Sequence, residues 1–307
     1  MAPIRIAIVG VGKIARDQHL PAIAANPAYE LVATVSRHDP ELSVPWFADL
    51  DELLASGVAV DAVALCTPPQ VRYGLAVKAL QHKIHVFLEK PPGATLAEVE
   101  SLRTIADEAG VTLFASWHSR YAAGVEPAKA WLAARTIRDV KIIWREDVRV
   151  WHPGQAWIWQ AGGLGVFDPG INALSIATHI LPRPFFLTEA TLEVPSNCQA
   201  PIAADLRFTD SAGTPIHMDL DFRQTGPQSW DIIVETDGGT LKLAKGGSVL
   251  TLPEGVREDE DREYPELYAR FAALVAEGQS DVDIAPLRHV ADAFLRGHMR
   301  AVEPFIE

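Results

Sequence analysis

The amino-acid sequence predicts an α/β protein: an N-terminal doubly wound parallel sheet, then a C-terminal α+β domain whose largely antiparallel sheet leaves one face open. Three observations carry this. The chain has 307 residues, more than one domain usually holds, so two cores are expected. Its first 120 residues alternate short β-branched runs with helical patterns, and beyond Tyr121 that alternation stops. A glycine turn also follows the first strand immediately.

In order, the first domain, residues 1–120, reads as strand 4–9, helix 13–26, strand 31–36, helix 50–55, strand 62–66, helix 71–81, strand 85–88, helix 96–108 and strand 111–115. Repeated strand–helix–strand units pair in parallel through right-handed crossovers, with helices on both faces. The second domain, 121–307, opens with a helix over 124–134 and a strand over 140–150, then a loop dense in Trp, Gly and Pro as far as Asp168 and a helix over 169–180. In 216–222 the residues Met218, Leu220 and Phe222 alternate with His217, Asp219 and Asp221, the period of a half-buried strand. Asp237-Gly238-Gly239 and Gly246-Gly247 punctuate hairpins. Helices over 264–277 and 286–300 close the domain, and the open sheet face is available to a second copy of the chain.

Lys plus Arg number 27 and Asp plus Glu 40, a formal charge of −13, which repels a phosphate backbone and argues against a nucleic-acid partner. Hydrophobic residues at 48% with 22% charged exclude disorder. Cys66 and Cys198 are the only cysteines and lie far apart, so neither a disulfide framework nor a thiolate metal site is expected. No metal-ligand spacing of His, Asp or Glu occurs, and no metal is expected. The apolar start is too short for a membrane span or signal peptide. A soluble, cytoplasmic protein without a membrane partner is the expectation.

The turn Gly10-Val11-Gly12-Lys13-Ile14-Ala15 follows a strand and opens a helix, the order a Rossmann dinucleotide site requires. Gly10 permits the tight turn, Gly12 admits a pyrophosphate to the backbone, and the anion sits on the helix N-terminus. After the second strand, where an NAD-selective site places a carboxylate, stands Ser36-Arg37-His38. Arg37 is placed to pair with a 2′-phosphate and Ser36 to donate to it, so NADP is expected alongside NAD, with a preference for NADP open.

Cys66-Thr67-Pro68-Pro69 follows the fourth strand and Glu89-Lys90-Pro91-Pro92 the fifth. Here the sequence resembles the glucose-fructose oxidoreductase/inositol dehydrogenase (Gfo/Idh/MocA) superfamily, over essentially its whole length. The runs Gly12–Pro21, Trp117-His-Ser-Arg-Tyr121, Trp151-His-Pro-Gly-Gln155 and Gly162–Asn172 look like the bacterial aldose 1-dehydrogenase branch, which takes galacto-configured sugars. The resemblance implies that the Cys66–Pro69 loop and Glu89-Lys90 face the nicotinamide, and that Pro91 follows a cis peptide.

Lys90 at the carboxyl end of a parallel strand points into the ligand crevice and is suited to bind or deprotonate a reacting hydroxyl. Asp168 and Asn172 are four apart and share a helix face. Asp168-Pro169 also has the form of an N-cap with proline at the first helical position. The family pattern at this place is Asp-x-x-x-His. Asn172 departs from it and is no base, so the sugar's proton goes to Asp168 or Lys90. Four tryptophans fall within the sixteen residues 144–159; aromatic faces with interleaved polar groups suit a pyranose. By resemblance, His118, Glu146, Trp151, His152 and Trp230 contact the sugar with Asp168 and Asn172, while Arg120 is structural. The implied reaction is oxidation at C1 of D-galactose or L-arabinose to an aldonolactone, with hydride passing to the nicotinamide. The rivals are oxidation at a ring carbon of a polyol such as inositol, which Asn172 argues against, and a sensor without turnover on the same fold, which need not keep Lys90 or Asp168.

Overall fold

The computed structural model describes residues 2–306 and divides into two compact units, one comprising the chain to Trp117 together with Tyr264–Asp283, the other His118–Glu263 together with Ile284 onward.

In the first unit, strands β1 (Ile4–Val9), β2 (Tyr29–Val35), β3 (Trp46–Phe47), β4 (Ala62–Leu65), β5 (His85–Leu88) and β6 (Leu113–Ala115) form a six-stranded sheet in the order β3-β2-β1-β4-β5-β6. All pairs are parallel. The order reverses between β1 and β4, and at that switch point the carboxyl ends of the strands leave a crevice. The expected first helix departs from α geometry: a π-helical turn, Ala15–His19, runs into the helix Leu20–Ala25, and such turns gather at functional sites. The helix Leu50–Ala55 is capped by the Asp49 side chain, and Leu96–Ala109 by a capping box between Thr95 and Glu98. Val9, Leu65, Leu88, Leu80 and Leu102 fill the core between sheet and helices.

Sequence reading kept 264–283 with the second domain. In the structure the helix Glu263–Glu277 places Tyr264, Tyr268 and Phe271 one helical turn apart on one buried face. Tyr268 stacks on Phe87 of β5 at 5.1 Å and Phe271 on Phe114 of β6 at 5.9 Å. Burial of a ring that size contributes roughly 1.5–3 kcal/mol, and this aromatic layer joins the segment to the parallel sheet.

In the second unit, β7 (Ile137–Arg145), β8 (Phe185–Pro195), β9 (Ala203–Asp210), β10 (Pro215–Asp221), β11 (Ser229–Thr236), β12 (Gly239–Ala244), β13 (Val249–Leu252), β14 (Gly255–Glu258) and β15 (His298–Val302) form a sheet in the order β14-β13-β12-β11-β7-β10-β9-β8-β15. Pairing is antiparallel except for β7 with β10 and β8 with β15. Ile216, Met218 and Leu220 point into the core, while Asp219 and His217 on the other face pair with Arg145 and Asp205. The helices Val125–Leu132, Phe167–Ile180 and Ala285–Arg296 pack with this unit.

Two expectations are corrected here. The strand expected over 140–150 ends at Arg145, because the Asp147 carboxylate accepts from the Arg149 amide and starts the short helix Val148–Trp151. The helix expected from Pro169 starts at Phe167, so Asp168 lies inside its first turn and is not the N-cap.

Candidate active site

The candidate cofactor residues of the first unit all follow carboxyl ends of parallel strands. Gly10 adopts a φ of +93°, and a Cβ there would stand 2.9 Å from Cγ2 of Thr67; the protein's own packing therefore requires glycine. At Gly12 a Cβ would meet nothing within 4 Å. The space over Gly12 is open, which fits the approach of a pyrophosphate to the helix N-terminus. Lys13 pairs with Asp17, and Ile14 is partly exposed. The loop after β2 is braced at both ends: Trp46 Nε1 donates to the Ser36 carbonyl at 2.7 Å, and Arg16 donates to the Pro40 carbonyl at 3.0 Å. Arg37 and His38 between them are exposed, and Ser36 is half-buried.

Cys66 continues the sheet, its amide donating to Val9, and Pro68 and Pro69 lead into the helix Pro69–Gln81. The Lys90–Pro91 peptide is cis, as the resemblance implied. Beneath Lys90 lies a buried polar cluster that sequence reading missed. The Glu89 carboxylate accepts from its neighbour's amide, Lys90 N, at 2.7 Å and from the Tyr264 hydroxyl at 2.6 Å. The His19 ring contacts it at 3.1 Å and Tyr268 Oη at 2.7 Å. Burial lowers the His19 imidazole, but the Cys66 sulfur and the Glu89 carboxylate raise it, and the net is a group pushed up to about 10. Burial pushes the Tyr268 hydroxyl well up.

In the second unit the structure gathers Glu146, Trp151, His152, Asp168 and Trp230. Trp230 Nε1 donates to one Glu146 oxygen at 2.7 Å, and the other Glu146 oxygen lies 2.9 Å from His152 Nε2. His152 Nδ1 lies 3.7 Å from Asp168 Oδ2. Glu146 and Asp168 are buried, 2% and 3% exposed, so one imidazole faces two buried carboxylates. Trp151 packs edge-on against Trp230 at 4.7 Å yet keeps 40% of its surface exposed, an aromatic face beside a polar chain. Trp144 stacks beneath Trp230 and is core. Asn172 stands one turn from Asp168 on the same helix and is half-buried; its carbonyl accepts from the Ser175 hydroxyl. His118 pairs with Glu263. Arg120 donates to the Ser175 carbonyl and Thr178 hydroxyl. The glycine loop before Asp168 packs tightly against protein: a Cβ on Gly165 would stand 2.2 Å from the Pro201 carbonyl.

The family described as oxidoreductases with an NAD-binding Rossmann fold (GFO_IDH_MocA) matches residues 4–116. A galactose 1-dehydrogenase of Pseudomonas fluorescens is 48% identical over 309 aligned residues, covering all of both chains. The crystal structure of a D-galactose-1-dehydrogenase from Rhizobium etli superposes with a TM-score of 0.96 at 58% identity, over 100% of this chain and 99% of that one. A 3-ketoreductase from Actinomadura kijaniata, solved with TDP-benzene and NADP, shares the fold at a TM-score of 0.83 and 18% identity over 98% and 99% of the chains. The chain belongs to this NAD-binding oxidoreductase family.

Proposed function

We propose that the protein is an NAD(P)-dependent aldose 1-dehydrogenase that oxidises D-galactose, and L-arabinose or similar galacto-configured sugars, at C1 to the aldonolactone. When bound, the nicotinamide supplies the hydride acceptor; Gly10, Gly12, Lys13, Ile14, Ser36, Arg37, His38, the Cys66–Pro69 loop and Glu89-Lys90 would hold the dinucleotide. The observation that carries the reading is the polar chain from buried Asp168 through half-buried His152 to buried Glu146 and on to Trp230. Asp168 Oδ2 takes the proton of the C1 hydroxyl, and His152 beside it holds the resulting charge distribution and offers an exit through Glu146. Asn172 donates to the anomeric oxygen and Lys90 orients the same oxygen, so the rate comes from alignment and electrostatics. Trp151 offers its exposed face to the sugar's C–H patches, with Trp230 and His118 as further contacts. Asp168 is taken as the base because it stands at the head of a polar chain, through His152 to Glu146, within its own unit. The ring-carbon and sensor alternatives are not favoured beside a full-length relative that is a galactose 1-dehydrogenase. The same reading sets a second copy of the chain against the exposed sheet face, which light scattering checks, and a cytoplasmic location suited to the free thiols Cys66 and Cys198.

The test is initial rates of NADP and NAD reduction with D-galactose, L-arabinose, D-fucose, D-glucose and myo-inositol. Turnover is expected with the first three, and Asp168→Asn should lose roughly 10²–10⁴-fold in kcat, the range for removing a general base. Equal rates with myo-inositol, or a fully active Asp168→Asn, would overturn the assignment.

A further inference from the structure

Arg72 is absent from every site reading above, and in sequence it is one arginine in the helix Pro69–Gln81. The structure buries it to 2% exposure. Its guanidinium donates to three main-chain carbonyls: one nitrogen to Glu89 and Pro91, the other to Thr67. Glu89 and Pro91 flank Lys90 on either side, and Thr67 belongs to the loop after the neighbouring strand. The ladder between β4 and β5 stops just before these residues; the amide of Glu89 donating to the Leu65 carbonyl at 3.2 Å is its last rung. Beyond that rung the β4–β5 register does not continue among the described residues, and main-chain carbonyls of the two loops need donors from elsewhere.

We propose that Arg72 is a positioning residue: it extends the β4–β5 ladder past its end and locks the Thr67 loop and the Lys90 turn to each other. The Lys90 main chain is then held on both sides, its own amide by the Glu89 carboxylate and the carbonyls before and after it by Arg72. A guanidinium suits the task because its planar fork presents donors on separate nitrogens to acceptors in both loops, whereas an ammonium gathers its three donors on one nitrogen and lacks that span. The inference rests on the proposed roles of Lys90 and the Cys66–Pro69 loop.

Arg72→Lys keeps the charge and loses the fork; Arg72→Ala removes both and leaves room for free guanidinium ion. For each, the melting temperature, the dissociation constant of NADPH from its fluorescence, and kcat and KM with D-galactose are measured, with and without millimolar guanidinium. Arg72→Lys is expected to melt close to wild type, to bind NADPH several-fold more weakly, and to lose about 10–100-fold in kcat with little change in sugar KM, the scale of a 1 Å misplacement. Guanidinium should restore part of the activity of Arg72→Ala. Arg72→Lys with kcat and NADPH affinity within twofold of wild type overturns the proposal. So does a loss that follows a fallen melting temperature and resists guanidinium, since that is what a purely structural arginine would give. Wild-type protein inactive on D-galactose would count against the sugar reading alone, and the NADPH titration would still decide the role of Arg72.

Discussion

Replacing Glu89 by Gln should destabilise the protein in a manner that depends on pH, and the sign follows from His19. The carboxylate collects three donors, the Lys90 amide, the Tyr264 hydroxyl and the His19 ring. A glutamine offers one acceptor oxygen, so at least one donor would face an NH2 group, and the imidazolium loses its counter-charge. Breaking a buried pair by removing one partner typically costs ~3–5 kcal/mol. The His19 imidazole, ordinarily at 6.5 and here pushed up to about 10, binds its proton more tightly in the folded state. At 1.36 kcal/mol per pH unit its charge contributes at most ~5 kcal/mol. A raised group stabilises fully below its unfolded value and loses that contribution as pH climbs toward the folded one. In Glu89→Gln burial still lowers His19 and the Cys66 sulfur still raises it, so losing the Glu89 carboxylate brings the folded value down only part of the way, and the variant's contribution is smaller and is lost at a lower pH. The stability gap between wild type and variant should therefore be widest at low pH and close as pH climbs past the variant's folded His19 value toward the wild-type value of about 10. Urea unfolding followed by tryptophan fluorescence at intervals across that range measures it. A gap that is constant, or that widens with pH, would refute a charged His19–Glu89 pair.

Arg37→Ala should weaken NADP by about 10–100-fold and leave NAD nearly untouched, the scale of losing charge-assisted hydrogen bonds to a phosphate; equal changes in the two Michaelis constants would remove Arg37 from the 2′-phosphate. Trp230→Phe keeps an aromatic edge against Trp151 but leaves a buried Glu146 oxygen without its donor. A cost of about 1–3 kcal/mol follows, and it should appear as a roughly tenfold or larger fall in kcat/KM for D-galactose with unchanged NADPH binding.

How far the sequence could be read depended on whether a residue's neighbours were local. The parallel sheet was legible because its β-branched runs are largely buried and alternate with helices, so pattern and environment coincide. The Trp-rich stretch 144–159 was legible as a candidate sugar surface, since aromatic and polar groups in one segment reach one place. Its internal break was not: Val148 and Val150 prolong the strand period beyond Arg145, and only the Asp147 cap decides that the chain turns. Asp168-Pro169 has the composition of a cap, yet Val166 holds that position. Arg72 and His19 left no periodic signature, because what defines them is contact with main-chain carbonyls, a carboxylate and a tyrosine hydroxyl 5 to 249 residues away. Tyr264, Tyr268 and Phe271 did show an apolar helical stripe, but a stripe does not say which sheet it covers.

That stripe bears on how the protein is made. The first unit is discontinuous along the chain: its aromatic layer on Phe87 and Phe114 is completed by residues that follow 146 residues of the second unit, His118–Glu263. During synthesis the nucleotide-binding sheet thus emerges early and waits, with Phe87, Phe114 and the His19–Glu89 cluster uncovered, until Tyr264–Asp283 has left the ribosome. A gene fragment cut near residue 118 would encode every strand of that sheet and still lack part of its core, so this enzyme is not a tandem of separable modules. The second unit is in effect inserted into the first, and the two must reach maturity together.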